Sequence, residues 1–176
     1  MTRDVLVAVI VLAGLTPVVK GLTPSGFSES IEASRGLTPP QRKMMKATGT
    51  FEVRLAPVGN DSTPEGPNLA RMSLDKTFSG EFTGIGKGEM ITAAGITVKE
   101  SAAYSAVERL TGTLNGKKGS FALQHTGIMD RGKPSLNITV VPDSGTGELV
   151  GLTGRMDIII EGKVHKYVFE YSMTKE

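Results

Sequence analysis

Residues 104–129 read YSAVERLTGTLNGKKGSFALQHTGIM, and this stretch predicts a β-hairpin. The dipeptide Asn115-Gly116 separates two alternating runs and suits a type I′ turn, which requires positive φ at both central positions. That turn sets Leu110 opposite Phe121, so the apolar residues of both strands share one face. Because a slip of one residue would send them to opposite faces, the pattern predicts this register.

A second hairpin is predicted at Gly162-Lys163, where glycine holds the first position of a type II′ turn. It sets Ile158 opposite Tyr167 and Met156 opposite Phe169, and again one face is apolar on both strands. The two hairpins therefore support one interpretation, in which one face of each strand lines a common core.

Strand signals continue from Ala47 to Met173, and no run there has the three-four spacing of an amphipathic helix. Short turns join neighbouring strands, apart from a longer polar loop at residues 57–69. Such a meander protects its edges best by closing, so we predict an all-β fold, a closed eight-stranded antiparallel meander barrel. An open sandwich is the alternative. The predicted strands are residues 47–56, 70–82, 86–93, 101–114, 117–129, 135–141, 152–161 and 164–173.

Composition limits the classes of function. The chain of 176 residues contains no cysteine, which excludes disulfide frameworks, thiolate zinc sites and cysteine nucleophiles. Residues 1–43 carry a net charge of +2, and the remaining acidic and basic residues balance. A neutral domain without tryptophan attracts phosphate weakly, so we predict no nucleic-acid partner.

The N-terminal region differs from the rest, so the predicted domains are an extension at residues 1–43 and the barrel at residues 44–176. Residues 5–15 form an apolar run that is shorter than the ~20 residues of a membrane-spanning helix, and we predict no stable membrane span in the barrel domain. Two interpretations stay open. Residues 1–20 act as a signal peptide of a secreted or periplasmic protein, or translation starts at Met44 or Met45 and the protein is cytoplasmic.

Several stretches together resemble a known family: ATGTFEVRL at 47–55, RMSLDKTFSGEF at 71–82, KGEM at 87–90, VERLTGTLNGKKGSFALQHTG at 107–127 and VPDSGTGELVGLTGRMDIIIEGKVHKYVFEY at 141–171. They resemble a bacterial family of unknown function that is classed with the allene-oxide-cyclase-like, calycin-like barrels. The resemblance covers about residues 46–173 and implies an eight-stranded meander barrel without an established activity. It is also compatible with a homo-oligomer, because related barrels often form dimers or trimers.

Three polar side chains, Tyr104, Glu108 and His125, are predicted to point into the barrel because the first hairpin places them on the face of Leu110 and Phe121. Glu108 and His125 are diagonal neighbours, within reach of each other. A buried carboxylate beside an imidazole is a proton-transfer pair in principle, so these three are the candidate catalytic residues. Alternatively, they form only a buried polar network whose members satisfy one another.

An apolar lumen is predicted from the inward residues of the other strands, and a barrel of this size is filled by side chains or holds one small ligand. Lys76 shares the face of Phe78, although a lysine in such a position more often extends to water at a barrel mouth. The candidate ligand-binding residues are Phe51, Phe78, Leu110, Phe121, Tyr167, Phe169, Tyr171 and Lys76.

The leading functional hypothesis is a protein that binds a small apolar or amphipathic molecule in its lumen, without a cofactor. One alternative is a cofactor-free isomerase or cyclase that uses the polar trio, which fold analogy supports only by association. Another is an oligomeric structural module, whose outer face would carry Val107, Ala122 and Ile128.

Other chemistries lack their sequence signals. His125 and His165 come without a third convergent ligand, so we predict no metal site. The glycine-rich segments 84–88 and 143–148 lack the helix of phosphate-binding loops, so both are predicted to be turns, the second near one barrel mouth. A serine hydrolase is disfavoured because no G-x-S-x-G motif occurs.

Overall fold

A computed structural model of the chain describes residues 43–61, 66–67 and 69–174. Its strands are β1 (Met45–Asp61), β2 (Leu69–Gly80), β3 (Phe82–Ala94), β4 (Ala102–Leu114), β5 (Lys117–Asp130), β6 (Lys133–Val140), β7 (Leu152–Glu161) and β8 (Val164–Met173), with a 3₁₀ helix at Gly147–Leu149. Consecutive strands pair antiparallel and β1 also pairs with β8, which closes the barrel. The predicted fold class is confirmed. The predicted N-terminal extension, except for Lys43, lies outside the described residues.

Both predicted hairpin registers are confirmed. Leu110 pairs with Phe121 across the first hairpin, and Asn115 and Gly116 have φ values of 46° and 84°, as the type I′ turn requires. Across the second hairpin Ile158 pairs with Tyr167 and Met156 pairs with Phe169, as the predicted register requires. The apolar faces therefore meet inside the barrel, as the alternation indicated.

Some predicted boundaries are wrong. β1 continues to Asp61, well into the loop predicted at residues 57–69. The β2–β3 turn lies at Gly80–Glu81, so Phe82 begins β3 instead of ending β2. The segment 84–88, predicted as a turn, is part of β3. Its glycines alternate on the inner face because β3 and β4 approach closely there: a Cβ at Gly88 would lie 2.6 Å from the Cα of Glu108.

The two ends of the barrel can be told apart by their turns. We call the end with the Gly80–Glu81 and Asn115–Gly116 turns the lower end, and the end with the Arg131–Gly132 and Gly162–Lys163 turns the upper end. A large aromatic cluster fills the lower half, whereas a smaller cluster, which we call the upper cluster, consists of Met72, Leu74, Met90 and Ala106. The core is therefore divided along the barrel axis.

The loop between β6 and β7 covers the lower end. Leu149 of its 3₁₀ helix is fully buried in the aromatic cluster. Beyond the end of β6, the loop bonds the free edge of β5 through side chains: Ser144 Oγ accepts from the backbone N–H of Ala122, and the Glu148 carboxylate accepts from that of Lys118. The segment predicted as a turn over one mouth is thus an ordered cover for the lower end.

The upper end is less completely paired. β1 pairs with β8 only as far as Phe51 and His165, although β1 itself continues to Asp61. β6 and β7 share one register pair, Thr139 with Arg155. Among the described residues, β1 beyond Phe51 therefore has no ladder partner in β8, and β7 beyond Arg155 has none in β6.

No helix within the described ranges is long and apolar enough to cross a membrane.

Candidate functional site

A buried lysine, glutamate and histidine meet near the middle of the barrel. They come from β2, β4 and β5, and the strand between β2 and β4 contributes Gly86 and Gly88, which have no side chains. Gly86 pairs with Lys76 and Gly88 pairs with Glu108, so the two long side chains reach each other over the inner face of β3. The alternating glycines of β3 thus position this set.

The contacts within this set centre on one carboxylate oxygen. Lys76 Nζ donates to Glu108 Oε1 at 2.7 Å, and His125 Nε2 lies 3.0 Å from the same oxygen. The side chains of Lys76, Glu108 and His125 are 5%, 0% and 3% exposed. Lys76 therefore does not extend to water at a mouth, because Glu108 holds its ammonium inside.

Two polar atoms of the set lack a hydrogen-bond partner among the described residues. Glu108 Oε2 and His125 Nε2 are both buried and unpaired. Nε2 nonetheless lies 3.0 Å from Oε1, close enough for an electrostatic contact with the carboxylate. Buried unsatisfied atoms are costly in a folded protein, so such atoms call for an explanation.

The local charges determine the protonation states. Burial alone would raise the pKa of Glu108, but Lys76 and His125 outweigh burial and lower that pKa to about 2. Burial lowers the pKa of His125, and the Lys76 ammonium acts in the same direction against the raising effect of Glu108. At neutral pH the set is therefore an ionised carboxylate, an ammonium and a neutral imidazole.

Tyr104 lies above this set on the inner face of β4, two residues on from the half-buried Ala102. Its ring packs against the backbone of Gly127 on β5, where a Cβ would collide with it. Burial, and then the charge of Glu108, raise the pKa of Tyr104 to about 12, so the phenol keeps its proton. The predicted trio thus shares one face, with Tyr104 at the half-buried upper edge.

The predicted aromatic lining packs mainly on itself. Phe121 stacks on Phe169 at 5.6 Å between ring centroids, and Phe78 meets Tyr167 edge-on at 5.7 Å. The Tyr167 hydroxyl accepts from the backbone N–H of Phe82 and donates to its carbonyl, while the Tyr171 hydroxyl accepts from the Asn115 side chain. Both hydroxyls therefore already have hydrogen-bond partners at the lower end of the barrel.

Two phenylalanines connect this aromatic cluster to the charged set. Lys76 Nζ lies 5.1 Å from the ring centroid of Phe51 and 5.9 Å from that of Phe78, within the range of a cation–π contact. Leu110, also predicted to line the lumen, is fully buried in the same cluster. Phe51 and Phe78 therefore form the floor beneath Lys76.

The chemistry open to this set is restricted. A carboxylate with a pKa of about 2 is a weak base at neutral pH, so Glu108 is poorly suited to take a proton from a substrate. The isomerase or cyclase alternative would therefore have to use His125 as its base. His165 instead packs against Phe51 with its ring tilted, at 5.2 Å between ring centroids. Within the described part of the chain, no three His, Asp or Glu residues are grouped to hold a metal ion.

One feature of this set was missed at the level of sequence. The pairing of Lys76 with Glu108 joins strands that are not neighbours, so no hairpin register reveals it. The signal was the run GIGKG at residues 84–88, whose glycines alternate with period two and mark an inner face without side chains. Interpreted as a strand, that run would have indicated room for Lys76 and Glu108.

Comparisons with known proteins agree with the fold. The sequence matches a family described as "Protein of unknown function (DUF3224)" over residues 47–171. It is similar to the crystal structure of a protein with unknown function from the same family in Shewanella oneidensis MR-1. The two chains are 46% identical, the alignment covers 76% of this chain and 100% of that chain, and the TM-score is 0.70. No curated protein matches.

Proposed function

We propose, from the premise that this chain belongs to the DUF3224 family of proteins of unknown function, that the barrel binds a small apolar or amphipathic molecule in its upper half. The observation that carries this proposal is the charged set with its unpaired Glu108 Oε2 and His125 Nε2 beneath the upper cluster. The allene-oxide-cyclase-like subclass of the fold stays a prediction.

The upper cluster suits an exchangeable ligand better than the aromatic cluster does. Two of its four members are methionines, whose flexible side chains adapt to different shapes. The aromatic rings of the lower half contact one another at fixed stacking or edge-on angles. A ligand would therefore displace methionine side chains more easily than it would separate the rings.

The strand pairing supports entry at the same end. At this end, β7 beyond Arg155 has no ladder partner in β6 and β1 beyond Phe51 has none in β8, so a ligand can pass between these strands with few ladder hydrogen bonds to break. Half-buried Val53 and Tyr104 adjoin the upper cluster from β1 and β4. The proposed site thus has an apolar wall, a polar floor at the charged set, and a route from the upper end.

Binding of the uncharged apolar dye Nile red tests this proposal. We expect its fluorescence to rise on addition of the protein, because the dye enters an apolar site. Met90→Gln should lower the affinity for Nile red by roughly fivefold or more, since a buried amide without partners costs about 1–3 kcal/mol. Met90 is buried in the upper cluster, so this variant probes the proposed site directly.

Ile91→Gln is the matched control, because Ile91 is the next residue on β3 and is 53% exposed on the outer face. Its affinity for Nile red should equal that of the unsubstituted protein. The proposal is wrong if the dye does not bind, or if both variants bind it equally well.

A further inference from the structure

We propose that the molecule bound in the barrel is an uncharged hydrogen-bond donor, an apolar compound with a hydroxyl group or an amide N–H, and that this donor binds Glu108 Oε2 beside Gly86. The inference rests on the proposed binding function and specifies the chemistry of the ligand. Three observations carry it: the free acceptor, the balance of buried charge, and the missing side chain at Gly86.

The free acceptor is one oxygen of an otherwise occupied carboxylate. Lys76 Nζ and His125 Nε2 both lie on the Oε1 side of Glu108, at 2.7 and 3.0 Å. Oε2 is buried without a donor among the described residues. Because a hydrogen bond to an ionised group is stronger than one between neutral groups, a ligand that brings a donor to Oε2 gains affinity there.

The balance of buried charge excludes ions of either sign. Lys76 is the single buried lysine or arginine in the described ranges, and Glu108 already pairs with it. A fatty-acid carboxylate would therefore be buried beside Glu108 without an unpaired cation, and an alkylammonium would be buried beside Lys76 without an unpaired anion. Burying an uncompensated charge is far more costly than burying a hydroxyl.

Gly86 lies next to the free oxygen. A Cβ added there would lie 3.0 Å from Glu108 Oε2, 3.2 Å from Cε2 of Phe78 and 3.4 Å from Cβ of Lys76. Gly86 therefore sets no side chain against Oε2 or the Phe78 ring, and a methyl group there would press on both. A hydroxyl or amide group on an apolar body matches these surroundings.

Displacement of Nile red by decanol and by decanoate at neutral pH tests the inference. The two compounds have equally long chains and differ in the head group. We expect decanol to displace the dye at a concentration roughly tenfold or more below that required for decanoate, because only the alcohol donates to Oε2 without adding charge. This comparison requires no variant, so it does not depend on the folding of a mutant.

Gly86→Ala then locates the donor. The methyl group would press against Oε2 and hinder a donor there, so the affinity for decanol should fall roughly tenfold, whereas Nile red, which has no donor, should bind as before. Ile85→Ala, at the exposed neighbouring position on β3, is the control and should change neither ligand.

The outcomes distinguish the two proposals. If Nile red does not bind to the unsubstituted protein, the binding function itself is overturned. If the dye binds but decanoate displaces it as well as decanol does, the binding function stands and the inference about the ligand is wrong. If a folded Gly86→Ala protein still binds decanol normally, the donor does not lie at Gly86, and the assignment to Oε2 is overturned.

Discussion

At the scale of single residues, the interior of the barrel depends on one carboxylate that serves two neighbours. Glu108 contacts Lys76 and His125 through the same oxygen, and all three side chains are almost fully buried. Breaking such a buried pair by removing one partner is far more damaging than replacing both. The set therefore contributes to stability in a way that depends on its protonation.

We predict that the free energy of unfolding decreases as the pH is lowered below neutrality. His125 has a folded pKa below its ordinary value of 6.5, so its contribution is present above pH 6.5 and is lost below it. The pKa of Glu108 falls from an ordinary 4.5 to about 2, so its contribution, on the order of 3 kcal/mol, is lost between those values. Tyr104 stays neutral throughout this range. Urea unfolding from pH 7 to about pH 2 measures both effects.

Two variants check the origin of the lower part of this pH dependence. Glu108→Leu alone should lower stability at pH 7 by about 3–5 kcal/mol, because it leaves the Lys76 ammonium buried and unpaired. Lys76→Met combined with Glu108→Leu should restore that stability or exceed it, and should remove the decrease between pH 4.5 and about 2. An unchanged acid profile in the double variant would show that another group causes the decrease.

At the scale of elements, the loop between β6 and β7 takes the place of a strand. It covers the edge of β5 with side-chain hydrogen bonds and inserts Leu149 into the lower end. We predict that Leu149→Ala lowers the free energy of unfolding by about 2–5 kcal/mol, because it leaves a cavity in the aromatic cluster. Val150→Ala, at the adjacent exposed position, should change it by no more than about 0.5 kcal/mol. Equal losses in thermal or urea unfolding would contradict the role of Leu149.

The elements also show which parts of the fold and the site could be predicted. Asn115-Gly116 fixed the β4–β5 register because its turn chemistry is local, and that register placed Glu108 and His125 together correctly. The contact of Lys76 with Glu108 depends on closure of the barrel and on the glycines of β3, which lie outside any one hairpin. Residues 83–85 of β3 were missed because Gly84 and Gly86 resemble turn signals.

At the scale of the whole molecule, the pairing around the barrel is uneven. β4 and β5 pair along their whole length, whereas β6 and β7 share the single pair of Thr139 and Arg155. The predicted dimer or trimer stays a prediction, although Val107 and Ile128 are exposed on the outer face, as that interpretation requires. We call the junction of β6 and β7 the β6–β7 seam. It is the weakest connection between strands in the described barrel.

We predict that this seam opens before any other strand pair, because few hydrogen bonds hold it. Native-state hydrogen exchange should show faster exchange for the amides of β6 and β7 near Thr139 than for those of β4 and β5. Replacing Thr139 and Arg155 with cysteines offers a check, since the chain contains no other cysteine. The oxidised form should slow both exchange at the seam and uptake of Nile red, and reduction should reverse both changes; equal exchange in all strands would contradict the prediction.

The pairing of Met45 with Tyr171 has a consequence for how the barrel can be held. Because β1 begins and β8 ends side by side at the lower end, a leader, an affinity tag or a solid support joined at either point attaches there. The upper end then faces away from the attachment. The upper end of an immobilised barrel would therefore point into solution.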